Sequence, residues 1–220
     1  MATLAWACFT TLKVAIMALG MGLCLGILLG LAMHQRNHPV WRAMAIGTSI
    51  FLRGIPELLL LFLLYYGGGA LLKNWSPHAQ GLSPFWAGAL GLALIFAGYA
   101  GQIISAALSA IPLGQFESAR AMGFNRYQCL IHVILPQIWQ HALPGLGNLW
   151  QILLKDTALV SVLGLSEMMQ WAKFEANITH APFTYFMTVS LIYFALSSLS
   201  QLGLSYQQRS IERKLQAKHV

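Results

Sequence analysis

Between two long apolar segments the chain reads Ile111-Pro112-Leu113-Gly114-Gln115-Phe116-Glu117-Ser118-Ala119-Arg120-Ala121-Met122-Gly123 and continues to Val133-Ile134-Leu135-Pro136. A polar, Gly- and Pro-punctuated stretch of this length is expensive to keep between hydrophobic segments unless something docks on it. Pro112 and Gly114 end the preceding helix, and residues 115–122 suit a short helix that exposes Glu117 and Arg120. Gly123 permits the sharp turn into a second short helix, expected to end near Pro136. Two short helices on a glycine turn make a rigid knob, which can transmit a push where a floppy loop cannot. Taken alone, the same residues also suit a plain solvated loop.

The composition around this stretch is that of a polytopic membrane protein. Of 220 residues, 57% are hydrophobic and 9% charged, with a mean hydropathy of +0.63; a soluble domain carries about 25% charged residues. A spanning helix needs roughly 20 apolar residues for a ~30 Å hydrocarbon core. Five candidate spans follow, at approximately residues 14–33, 56–72, 85–111, 143–165 and 183–206, with the polar loop at 112–136. The fold expected is an all-α integral membrane protein forming one domain over residues 1–220, with no soluble appendage and no tandem repeat. Long continuous runs favour helices over an alternating β-barrel.

The basic residues orient the chain. Arg36, Arg42 and Arg53, then Arg120 and Arg126, then Arg209, Arg213, Lys214 and Lys218 fall on one side, against Lys73 and Lys173 on the other. By the positive-inside rule the polar loop and C-terminus are cytoplasmic and the N-terminus is outside. The net charge of +7 is therefore a topology signal; no basic stripe with interleaved aromatics supports a nucleic-acid surface. The first span is too long for a signal peptide, lacks a small-x-small cleavage site and reads as an uncleaved anchor. Cys8, Cys24 and Cys129 show neither metal nor disulfide spacing. Gly22, Gly26 and Gly30, four apart, suit close helix packing in lipid, and Gly88 and Gly91 give the third span a similar start.

Ionisable residues at membrane depth need a reason, at about 2.5–3.5 kcal/mol each on insertion scales. Lys155-Asp156-Thr157 lies inside the fourth span. Neighbouring helical residues point about 100° apart, so Lys155 and Asp156 need not pair; one of them, or Thr157, could line a polar path, or all could tie the bundle together. Arg53-Gly54-Ile55-Pro56-Glu57 opens the second span. Gly54 and Pro56 interrupt a helix there, and Arg53 and Glu57, four apart, pair only if helical geometry survives the proline. The expectation is a structural bend with a consequence for gating. The seven histidines are scattered, without a metal-binding spacing such as HExxH, so enzymatic activity in this chain is not expected.

These motifs together resemble the permease subunits of polar amino-acid ABC importers. The Glu-Ser-Ala, three residues, Gly, nine residues, Val-x-Leu-Pro spacing is similar to their EAA loop. Arg53 to Glu57, Ala97-Gly98-Tyr99-Ala100-Gly101-Gln102, Ile111-Pro112-x-Gly114-Gln115, Leu135-Pro136-Gln137, Leu143-Pro144, Leu154 to Ser161 and Ile211-Glu212-Arg213 follow in the same order. The run from His141 to Asn148, with Lys155 to Ser161, looks most like the arginine and histidine branch. Ser118 departs from Glu-Ala-Ala, a small-for-small change, and Gln102 stands where many members carry Glu, which puts an ionic role there in doubt.

The resemblance implies a translocation subunit for an amino acid, arginine or another basic one first, in the bacterial inner membrane. It implies Gly114, Gln115, Glu117, Ser118, Ala119, Arg120, Gly123 and Pro136 as the surface that couples to an ATPase. Asp156, Thr157 and Lys155, from their place inside an apolar span, and Gln102 are candidates for the substrate path, and Arg53, Gly54, Pro56 and Glu57 for a gate or bend. The implied partners are an ABC ATPase, a second permease subunit (paralogue or identical copy), a periplasmic or lipid-anchored amino-acid-binding protein and the lipid bilayer, with no nucleic acid. No cofactor is expected on this chain; ATP and Mg²⁺ are used by the ATPase, since the chain has no Gly-x4-Gly-Lys-[Ser/Thr]. An ion-driven secondary transporter is the alternative, although inverted repeats are not visible. Uptake that survives ATP depletion under an intact ion gradient would favour it.

Overall fold

In the computed structural model the described residues are 3–35, 38–68, 70 and 81–216, with side chains to residue 210. They form helices and no strand. The first helix, α1 (Leu4–His34), starts on Thr3, whose side chain accepts from the Trp6 N–H. It opens ten residues before the expected span because Thr11, a polar residue in the apolar run, is buried and hydrogen-bonded. After it come α2 (Pro39–Gly54), with proline in the first turn, and α3 (Glu57–Phe62), which continues as a π turn over Leu63–Gly67.

The bend expected at Arg53 to Glu57 is present, and it lies inside the span rather than at its start, because a helix from Pro39 precedes it. Pro39–Gly54 and Glu57–Gly67 form a pair bent by 101°. Ile55, forced out of the helical region by the proline that follows, has φ −83 and ψ 133. The bend therefore owes more to Pro56 than to Gly54, which is still helical and has nothing within 4 Å of a notional Cβ. Residues 71–72 of the expected span, Lys73 and the 74–78 break lie outside the described residues.

The central element is α4 (Pro84–Ser109), capped by Ser83. The loop follows as α5 (Leu113–Ala121) and α6 (Arg126–Cys129). A π turn (Leu130–Ile134) then runs straight into α7 (Leu135–Asp156), a 3₁₀ turn (Thr157–Leu163) and α8 (Met168–Thr179). The last helix is α9 (Pro182–Gln216). The helix that carries the segment expected as the fourth span thus begins at Leu135, before residue 143, and ends at Asp156. Pro136 does not stop the loop's second helix. Pro136 has no N–H for the carbonyl four residues back, and a π turn precedes it in which the Leu135 N–H reaches Leu130. Among the described residues three helices, Leu4–His34, Pro84–Ser109 and Pro182–Ser210, are long and apolar enough to cross a membrane, and the bent pair can supply a fourth span. α7 is more polar, with Gln137, Gln140, His141, Asn148 and Gln151, yet its 22 residues reach about 33 Å at 1.5 Å each.

Packing centres on α4, whose most apolar window is 72% buried, against 6% for α9. Leu92 and Phe96 of α4 meet Val14, Leu61, Leu146, Leu153 and Val160 in one core. A smaller cluster joins α1, α8 and α9 through Ala7, Met168, Ala172 and Val189. Gly22, Gly26 and Gly30 of α1 lie on α4: a Cβ at Gly22 would stand 2.8 Å from the Ala93 carbonyl, at Gly26 2.7 Å from Ala100 Cβ, and at Gly30 2.8 Å from Ile104 Cβ. Gly26→Leu is therefore expected to cost about 1–3 kcal/mol by overpacking and to lower the melting temperature of the detergent-solubilised chain. Gly20→Leu, with nothing within 4 Å, should leave it near wild type in the same tryptophan-fluorescence melt.

Candidate functional site

The polar loop is a compact double-helix knob closed by two local motifs. The Phe124 N–H donates to Ala119 O (3.1 Å) and the Gly123 N–H to Arg120 O (2.9 Å), while Gly123 has φ +82. That is the Schellman pattern, six-to-one and five-to-two, with its glycine in the left-handed region. One residue later Asn125 caps α6: its Oδ1 accepts from the Gln128 N–H (2.8 Å) and its own N–H donates to Gln128 Oε1 (3.0 Å). The sequence reading passed over this capping box, although Asn-x-x-Gln after a glycine turn announces one.

The knob has an inner and an outer face. Ala119 is fully buried in a cluster with Ile111, Cys129 and Ile134, flanked by Phe116 and Phe124. Gly114, Gln115, Glu117, Ser118, Arg120, Gly123 and Pro136 are exposed. Of the eight loop positions singled out, Ala119 therefore faces inward and the other seven are on the surface.

A second feature lies on the far side of α4. Glu57 in the first turn of α3 and Asp156 at the end of α7 line one cavity of about 140 Å³, together with Leu92, Ile95, Phe96, Tyr99, Leu149, Ile152 and Leu153. Arg53 and Glu57 make no ion pair across the bend. The Arg53 Nε–H donates to Ser49 O (3.3 Å), and its guanidinium lies 5.6 Å from the centroid of Tyr99, a wall of the cavity. The four path candidates separate. Asp156 reaches the cavity, while Lys155 lines another with Ser190, Tyr193 and Ser197. Thr157 is buried, donates to Leu154 O (2.7 Å) and stands 3.3 Å from Tyr193 Oη. Gln102 is exposed on α4 and lines neither cavity. From the gate set, Glu57 joins Asp156.

One carboxylate escaped the sequence reading. Glu167 is 1% exposed and caps α8; its Oε1 accepts from the Gln170 N–H (2.8 Å), and its Oε2 from Tyr193 (3.3 Å) and Thr11 (3.4 Å). Three donors make it a satisfied structural group. No such donor among the described residues serves Asp156 or Glu57, so two carboxyl groups face an apolar-walled space without partners. Among the described residues no group of three or more His, Cys, Asp or Glu could hold a metal.

Comparison with known proteins follows the same lines. The family described as "Binding-protein-dependent transport system inner membrane component" matches residues 22–213. The chain is 40% identical over 195 residues to the arginine ABC transporter permease protein ArtQ of Haemophilus influenzae, covering 86% of this chain and 88% of that one. It is 38% identical over 201 residues to the nopaline transport system permease protein NocQ of Agrobacterium fabrum, covering 88% and 84%. Among solved structures, an amino acid ABC transporter crystallised with histidines superposes with a TM-score of 0.78 at 29% identity, over 93% of this chain and 92% of that one. The inward-facing MetNI methionine ABC transporter gives 0.76 at 19% identity, over 94% and 95%, a likeness of fold.

Two loop glycines should respond differently to alanine. Gly123→Ala forces a Cβ into the left-handed region at about 1–2 kcal/mol, and amide hydrogen exchange in α5 should rise about tenfold while α4 is unchanged. Gly114→Ala, without positive φ or close neighbours, should slow exchange in α5 slightly, since alanine favours helix.

Proposed function

The chain belongs to the binding-protein-dependent transport system inner membrane components, and from that premise we propose that it carries a basic amino acid, arginine first, across the bacterial inner membrane. The observation that carries the substrate assignment is the pairing of Glu57 and Asp156 in one apolar-walled cavity. Two carboxylates without donors among the described residues are matched best by a cation, and a guanidinium offers each a bidentate, charge-assisted pair. Tyr99, with Arg53 on its face, forms one wall, so a basic substrate entering the cavity meets Arg53 as a like charge at the bend. The arginine permease named above is a relative consistent with this reading, as is the nopaline permease.

The exposed face of the loop receives a separate ATPase, which supplies ATP and Mg²⁺ chemistry; this chain binds neither. A second permease subunit completes the path, and an amino-acid-binding protein delivers the substrate outside. The loop lies at the same end of the bundle as the close of α1, where His34 Nδ1 stands 3.4 Å from Ser109 Oγ. The Thr11–Glu167 contact marks the other end. With the basic loop inside, the N-terminus is outside and the C-terminus cytoplasmic. The ion-driven alternative finds no support in the fold or among the relatives.

Two measurements test this. The detergent-solubilised chain should co-purify with its ATPase, and Gly123→Asp and Glu117→Lys should lose it while remaining folded; retention in both variants would remove the docking assignment. In proteoliposomes Asp156→Asn and Glu57→Gln should each lower arginine uptake at least tenfold. Unchanged uptake and substrate preference in Asp156→Asn would overturn the cation site and leave selection to the binding protein.

A further inference from the structure

The loop and the carboxylate cavity stand at opposite ends of α7, and a side chain at the loop end ties the two together. Gln137, in the first turn of α7, is half-buried. Its Nε2 donates to Val133 O in the π turn at 2.9 Å and to Gln115 Oε1 of α5 at 3.3 Å. An amide nitrogen carries two hydrogens, so both bonds form at once. Among the described residues this is the one side-chain hydrogen bond that leaves α5. The remaining hold is apolar, through Ala119, Phe116, Ile134 and Val133. Apolar burial resists separation but is non-directional, whereas a hydrogen bond fixes orientation.

The other end of the helix carries Asp156. Between them α7 is clamped where Pro144 interrupts its hydrogen bonding. A Cβ at Gly145 would come within 3.1 Å of Ile103, and one at Gly147 within 3.2 Å of Leu204. A helix held from both sides moves as a body rather than flexing at the proline.

We propose that Gln137 is a positioning residue that locks the docking helix α5 in register with α7, so that displacement of the loop moves Asp156. The proposal rests on the transport reading above and adds the part that transmits motion. The bond contributes little to stability, because Gln115 is exposed to water. Its loss leaves the knob folded and lets α5 slip against α7.

The test uses the complete transporter, with its ATPase and binding protein, in proteoliposomes, and reads arginine moved per ATP hydrolysed. Gln137→Leu keeps the bulk without the donor, and Gln137→Glu keeps the shape without it. Both should retain the ATPase on co-purification and hydrolyse ATP within about twofold of wild type, while transport per ATP falls about fivefold, the scale of one lost hydrogen bond. Gln137→Lys, whose ammonium can donate to both oxygens, should keep at least half the wild-type ratio. A residue that mattered only for packing would not sort its variants by donor. A wild-type ratio in Gln137→Leu or Gln137→Glu, equal losses in the Lys and Glu variants, or a fall in transport that merely tracks lost ATPase would each overturn the proposal. Where Gln137→Leu fails to fold, the Glu and Lys pair decides. Failure of the underlying transport reading shows elsewhere, as absence of ATP-dependent uptake by the wild type.

Discussion

Gly22, Gly26 and Gly30 of α1 lie so close to Ala93, Ala100 and Ile104 of α4 that a methyl group has no room. Inside a bilayer, lipid tails solvate leucine as well as another helix does, so no hydrophobic drive joins two spans. Close van der Waals approach supplies the attraction. That seam fixes α4 at the centre, and α4 in turn serves both working parts. One side presents Phe96 and Tyr99 to the carboxylate cavity. The same face, about two turns on, packs Ile103 over Gly145 of α7. The position of every other helix is thereby referred to the α1–α4 pair.

Glu167, Glu57 and Asp156 divide by their donors. Glu167, with a backbone N–H and two hydroxyls, has its charge met inside the protein and ties α8 to α1 and α9. Glu57 and Asp156 have none of these and share a cavity instead. Desolvation is tolerable for the first because its partners are built in. In the transport reading proposed above, the partner of the other two is the substrate, which is the physical difference between a structural acid and a binding one.

Local chemistry made much of this legible in the sequence. The glycine turn at Gly123, the small-residue face of α1, the interruption at Pro56 and the polar Lys155-Asp156-Thr157 all follow from residue properties within a few positions. What escaped is non-local or geometric. The span expected at 56–72 took Pro56 as a beginning, whereas the chain uses it as a 101° corner with a preceding helix from Pro39. Nothing near Thr11 announces that its partner is Glu167, 156 positions away. Pro136 looks like a stop, because a sequence shows the missing N–H but not the π turn that precedes it. Glu57 was visible as a charge at a helix start, and only the fold brings it to Asp156.

Lys155, Asp156 and Thr157 show how much one helix end can separate. Successive residues turn by about 100°, so the three side chains leave α7 towards a hydroxyl-lined cavity, the carboxylate cavity and the Tyr193 hydroxyl. The 3₁₀ turn that starts at Thr157 winds more tightly than the helix before it. Thr157 is pinned by Leu154 O and faces Tyr193, which also holds Glu167. Asp156 therefore stands between a hydrogen-bonded chain that reaches α1 and the helix that follows the polar loop. A carboxylate held at the junction of two such bodies changes its setting whenever they shift against each other. In the transport reading proposed above, an alternating path asks that of its binding group, and Glu167, held by donors on α1, α8 and α9, lacks that freedom.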